Sequence, residues 1–93
     1  MGTNPRVRPQ RLAEKLRYIR ESLGLTQEQL LRELDIAGLA TQSKISEFES
    51  GKREPSLIML LEYARVAGVC TDALIDDRLD LPAKLPAKPK HRT

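Results

Sequence analysis

The feature that most limits what this chain can fold into is its punctuation. Between Leu12 and Asp77, helix stops and helix starts follow one another closely. Gly24 is placed to end a first helix, and Thr26 begins the next as N-cap, with Gln29 three residues later as its capping-box partner. Gly51 suits the left-handed conformation that closes a helix. Glu54-Pro55 breaks the chain, because the residue before a proline is driven out of the helical region. Ser56 restarts it, Gly68 stops it, and Thr71 offers a last cap. Helices this short are marginal alone, so they must draw their stability from one shared core.

The apolar positions follow those boundaries. Leu12, Leu16, Ile19 and Leu23 recur at spacings of four, three and four, which makes one stripe of an amphipathic first helix. A second helix begins at Gln27, carries Leu30, Leu31 and Leu34, and ends near Asp35, with Leu25 placed to staple against Leu30. Thr41 caps a third helix whose only apolar positions are Ile45 and Phe48. The fourth carries Leu57, Leu60, Leu61, Ala64 and Ala67. In the fifth, Leu74 and Ile75 are expected to pack inward, with Asp72 at its positive end. Tyr18, Phe48 and Tyr63 are the only aromatic residues, so aliphatic side chains must fill the core. The expected fold is a compact all-α domain of five helices over residues 10–78. A flexible basic segment (1–9) precedes it, and a Pro/Lys-rich tail (79–93), whose composition opposes folding, follows.

Charge and cysteine usage narrow the function. The net charge is only +3, but Arg6, Arg8, Arg11, Lys15, Arg17 and Arg20 crowd the first twenty residues against Glu14, a distribution that suits an anionic partner such as nucleic acid. Asp72, Asp76, Asp77 and Asp80 sit near the other end and are expected to face solvent or a protein. Cys70 is the only cysteine, which rules out an internal disulfide and a cysteine zinc site and fits a structural, partly buried thiol in a reducing cytoplasm. No apolar run approaches the roughly 20 residues of a membrane span, and the first residues lack the apolar core of a signal peptide. A cytoplasmic location is therefore expected. Nothing suggests an enzyme, a cofactor, a metal or a small-molecule substrate: His91 stands alone in the tail, and Ser43 and Ser46 have no nearby base.

The third helix stands apart, because Gln42, Ser43, Lys44, Ser46 and Glu47 are left exposed around its two apolar anchors. Amide, hydroxyl, carboxylate and ammonium groups can match the donor and acceptor patterns of base edges, and the major groove, about 12 Å wide, admits one helix. The run Leu25-Thr26-Gln27-Glu28-Gln29-Leu30, followed by Ser43-Lys44-Ile45-Ser46-Glu47-Phe48-Glu49-Ser50-Gly51-Lys52-Arg53-Glu54-Pro55-Ser56, resembles the Cro and cI repressor-like helix-turn-helix family. Leu60, Ala64, Gly68-Val69 and Leu74 resemble the family's closing helices. The resemblance spans Leu12 to about Asp77 and implies sequence-specific binding of double-stranded DNA by a transcriptional regulator, a repressor by preference, with the third helix in the major groove.

Carried over by position, the resemblance implies that Gln42, Ser43, Ser46 and Glu47 read bases, with Gln42 suited to adenine N6 and N7. It implies that Gln27, Lys44, Ser50, Lys52 and Arg53 touch phosphates. Arg17, in the basic N-terminal region, is assigned to the same phosphate-binding set. Glu49 falls at a mainly structural position. On the reading face Glu47 must accept from cytosine N4 or orient Lys44 or Arg53, since a bare carboxylate is repelled by phosphates. The chain departs from the family between Leu34 and Ile45, where the turn is roughly four residues longer than usual; Ile36 and Leu39 are expected to anchor it in the core. Family members usually dimerise, which implies a homodimer, and the fifth helix with Leu79 and Leu81 is the expected interface. The alternative is an antitoxin or adaptor that grips a protein partner through its acidic C-terminal half.

Overall fold

The computed structural model describes residues 8–34, 38 and 40–86. It contains five helices, α1 (Leu12–Ser22), α2 (Gln27–Glu33), α3 (Gln42–Ser50), α4 (Leu57–Ala67) and α5 (Thr71–Ile75), and no strand among the described residues. The fold is the expected all-α, five-helix domain. Its boundaries follow from capping chemistry. Thr26 and Gln29 form the reciprocal box, with Thr26 Oγ1 accepting from Gln29 N and Gln29 Oε1 accepting from Thr26 N. Thr41 Oγ1 caps α3 through Lys44 N, and Ser56 Oγ caps α4 through Met59 N. Gly51, at φ +81°, terminates α3 in the left-handed region, where a β-carbon would be strained.

The core gathers the α1 stripe, Leu30 and Leu34 of the second helical unit, Ile45 and Phe48 of α3, and Leu74 of α5, all at most 5% exposed. α1 lies at its centre, packed on α3 and α5, while α2 packs on α3 and α4 on α5. Tyr63 is fully buried. Its hydroxyl has no hydrogen-bond partner among the described residues, and burial pushes its phenol well above the ordinary value.

Several expectations are corrected. α4 buries Met59, Leu60, Tyr63, Ala64, Val66 and Ala67, and of the apolar positions read on it leaves Leu57 and Leu61 exposed. Because α4 is apolar nearly all round, its period does not say which side turns inward. Ile75 is also exposed, and so is Cys70, expected to be partly buried, which in place of Thr71 is the N-cap of α5. The connection from α2 to α3 is long, but Asp35, Ile36, Ala37 and Leu39 lie outside the described residues, and so does the anchoring role expected of Ile36 and Leu39.

Much of the N-terminal basic cluster is consumed inside the fold. Lys15 is 3% exposed and its Nζ donates to the carbonyls of Ala73 and Asp76 at 2.8 and 3.0 Å, closing the C-terminal end of α5. Arg11 donates to Asp80 Oδ1 and to the Asp77 and Leu79 carbonyls. The Asp77 carboxylate in turn accepts from the backbone N–H groups of Gln10 and Arg11, doing for α1 what no local side chain does. Those two bonds hold the Asp77 carboxyl below the usual carboxylate range. Of the acids expected to face outward, Asp77 and Asp80 thus tie the two ends of the domain together, Asp76 holds Arg78, and Asp72 is exposed.

Those ties continue beyond residue 78. Tyr18 Oη donates to the Ala83 carbonyl at 2.6 Å, Leu81 packs against the core, and Leu85 is 7% exposed within it. Of the segment 79–93, expected from composition to be disordered, residues 79–86 therefore lie against α1; residues 87–93, like 1–7, fall outside the described residues. Leu85→Ala should cost about 2 kcal/mol, the lower end for a buried leucine, as measured by urea denaturation. A loss below about 0.5 kcal/mol would mean that the segment does not contribute to the fold.

Candidate nucleic-acid interface

α3 is held by two anchors, Ile45 at 0% and Phe48 at 2% exposure. Its opposite side presents Gln42, Ser43, Ser46 and Ser50, all exposed, with Lys44 and Glu47 half-buried at the edges. Spacings of three and four residues put 42, 43, 46 and 50 on one face. The Gln42, Ser43 and Ser46 side chains have no hydrogen-bond partner among the described residues. They are free to meet an outside donor or acceptor.

The loop after α3 turns back on the helix. Glu47 O accepts from the backbone N–H groups of Lys52 and Arg53 at 3.0 and 3.3 Å, and the Ser50 hydroxyl donates to the same carbonyl at 3.2 Å. Arg53 Nε donates to Glu47 Oε1 at 2.6 Å. That bond holds the Glu47 carboxyl below its ordinary range, helped by the nearby charges of Lys52 and Lys44. In the free protein the Glu47 carboxylate is thus engaged by Arg53.

Behind the exposed face, Arg20 of α1 forks onto Glu49, with Nε to Oε2 at 2.8 Å and Nη2 to Oε1 at 3.1 Å, and donates through Nη1 to the Leu25 carbonyl. Gln27 Nε2 donates to Glu49 Oε1 at 3.3 Å. One buried carboxylate therefore ties the end of α1, the start of α2 and the end of α3 together, and fixes the angle at which α3 is offered. Hydrogen bonding to Glu49 raises the already high Arg20 value. Sequence reasoning missed this link. Its signal was available: Arg20 adjoins Ile19 on α1 and Glu49 adjoins Phe48 on α3, two opposite charges each flanking a core stripe.

The ion pairs redistribute the apparent basicity. Among the described residues every arginine has an acidic partner: Arg8 with Glu54, Arg11 with Asp80, Arg17 with Glu21, Arg20 with Glu49, Arg32 with Glu28, Arg53 with Glu47, Arg65 with Glu62 and Arg78 with Asp76. Lys15 is buried on carbonyls, and among the described residues the ammonium groups without an ion-pair or hydrogen-bond partner are Lys44, Lys52 and Lys84. Lys44 lies in the first turn of α3, and Lys52 follows its C-terminal end. Of the remaining expected phosphate ligands, Gln27 is half-buried against Glu49, while Arg17 is held only by an exposed pair four residues along its own helix. Exposed pairs of this kind are weak and readily exchanged. Among the described residues no cluster of His, Cys, Asp or Glu could hold a metal, and no helix is long and apolar enough to cross a membrane.

A short capped helix, a turn and a second polar helix held against a small core define a helix-turn-helix domain. Residues 16–74 match the sequence model of the helix-turn-helix family, and the chain belongs to that family in its Cro/cI-like branch, a family of DNA-binding transcription regulators. A search of curated proteins finds no match.

Proposed function

We propose that the chain is a sequence-specific repressor that lays α3 in the major groove of its operator. The observation that carries this reading is the coincidence of an unpartnered polar face with unpartnered cations. Gln42, Ser43 and Ser46 have no internal task, and Lys44 and Lys52 stand unpaired beside them while the described arginines are neutralised. Bases are read by Gln42, Ser43 and Ser46. Lys44 meets a phosphate from the first turn of α3 and Ser50, Lys52 and Arg53 from its C-terminal end, with Gln27 and Arg17 contributing from the α1–α2 side.

One such module spans few base pairs, so we infer a homodimer on a near-palindromic site with half-sites about 34 Å apart. At the interface expected from α5 with Leu79 and Leu81, Leu81 lies against the core while Ile75 and Leu79 are each 43% exposed. The better surface is α4, where Leu57, Ile58 and Leu61 are 82, 55 and 53% exposed. An adaptor gripping a partner through its acidic half is less well supported, because Asp76, Asp77 and Asp80 are occupied by Arg78, by α1 and by Arg11.

Selection of bound sequences from a random duplex pool tests the reading. It should return one motif with two-fold symmetry; equal recovery of all sequences would reject it. In the same assay Gln42→Ala should lose about 1–3 kcal/mol of discrimination at a single base pair of each half-site, with the other positions unchanged.

A further inference from the structure

The Glu47–Arg53 pair assigns a role that neither residue has alone. We propose that Glu47 is a positioning residue rather than a reader of bases, and that it holds the Arg53 guanidinium so that its two Nη groups are offered together to one DNA phosphate. The proposal rests on the reading that α3 enters the groove, and it replaces the base contact expected of Glu47.

Arg53 is fixed to Glu47 twice, by main chain and by side chain. Its backbone N–H donates to the Glu47 carbonyl at 3.3 Å and its Nε to the Glu47 carboxylate at 2.6 Å. The left-handed turn at Gly51 brings the two residues side by side. A guanidinium has five N–H donors in a planar fork, and the bond to Glu47 uses the one on Nε. The Nη groups have no partner among the described residues, and paired N–H groups of this kind match a phosphate in bidentate fashion. Both side chains stay accessible, Arg53 at 52% and Glu47 at 39%. Electrostatics fit the same role. An isolated carboxylate at the edge of a DNA-facing helix would be repelled, whereas here Arg53 neutralises it, with Lys44 and Lys52 nearby. Glu47 thus stiffens a phosphate contact and reads no sequence.

A double-mutant cycle on the full chain tests this. Glu47→Ala, Arg53→Gln and the double variant are each put through random-pool selection and titrated against the selected duplex and a mixed-sequence duplex. Glu47→Ala should select the wild-type motif, since no base contact is lost, and Glu47→Gln should do the same. Arg53→Gln strands a bare carboxylate beside the phosphates, so it should weaken binding to both duplexes on the order of tenfold. In the Glu47→Ala background the same change should cost about threefold or less, which is the coupling a paired unit requires. A preference altered at one position in Glu47→Ala would make Glu47 a base reader and overturn the proposal. Equal costs of Arg53→Gln in both backgrounds would do so too. A wild-type pool that yields no motif rejects the groove reading itself, and this inference with it.

Discussion

Arg20→Ala is expected to lower the stability of the domain by about 3 kcal/mol, the size of loss seen when one member of a buried ion pair is removed. The Glu49 side chain is 5% exposed and that of Arg20 is 16% exposed, and the guanidinium supplies two of the bonds to the carboxylate. Without it, Glu49 keeps Gln27 at 3.3 Å, a single bond that is longer than either of those it loses. The damage comes less from the lost attraction than from an ion left out of water with too few donors. In a domain of this size the loss corresponds to a fall of roughly 12–24 °C in melting temperature. Arg17→Ala is the control, because its pair with Glu21 joins side chains 63 and 53% exposed and contributes about 0.5 kcal/mol at most. If the Arg20 and Arg17 variants melt within a few degrees of each other, the Arg20–Glu49–Gln27 link does not fix the pose of α3.

That contrast separates what the sequence could reveal from what it could not. Helix ends were legible because caps are local chemistry: a hydroxyl at Thr26 or Ser56 reaches a backbone N–H three residues on, whatever the rest of the chain does. The polar face of α3 was legible too, since Ile45 and Phe48 leave only one way to turn it. α4 offered apolar residues on every side, so the partners that bury Met59, Tyr63 and Val66 rather than Leu57 and Leu61 had to be known first. Charged side chains were the least legible. The long stem of Lys15 lets it cross the core and bond to α5, and Arg11 and Arg20 find their acids 69 and 29 residues away. A count of basic residues near the N-terminus therefore overstates what is available to DNA. Leu85 shows the same failure for composition, because one leucine among prolines and lysines is enough to anchor a segment that averages out as unfolded.

The exposed side of α4 gives the other large effect, Ile58→Asp. Leu57, Ile58 and Leu61 lie one, three and four residues apart, so they share one side of the helix, and six residues separate α3 from α4, joined through the turn at Gly51 and the buried Pro55. A two-fold contact across this side would hold two copies of α3 in a fixed relation, which a palindromic site requires. Ile58 is 55% exposed, and an aspartate there falls in the first turn of α4, where the helix dipole favours a negative charge. The variant should therefore fold as well as the parent. In a dimer, the new carboxylates would meet each other and the apolar side of the partner, so the dimer should be lost from sedimentation profiles at concentrations where the parent retains it. Affinity for a duplex with both half-sites should fall on the order of a hundredfold or more, because the second half-site is no longer reached intramolecularly, while affinity for a single half-site stays unchanged. A parent already monomeric on and off DNA, with both duplexes bound equally by the variant, would show that α4 does not pair and that each module reads its site alone.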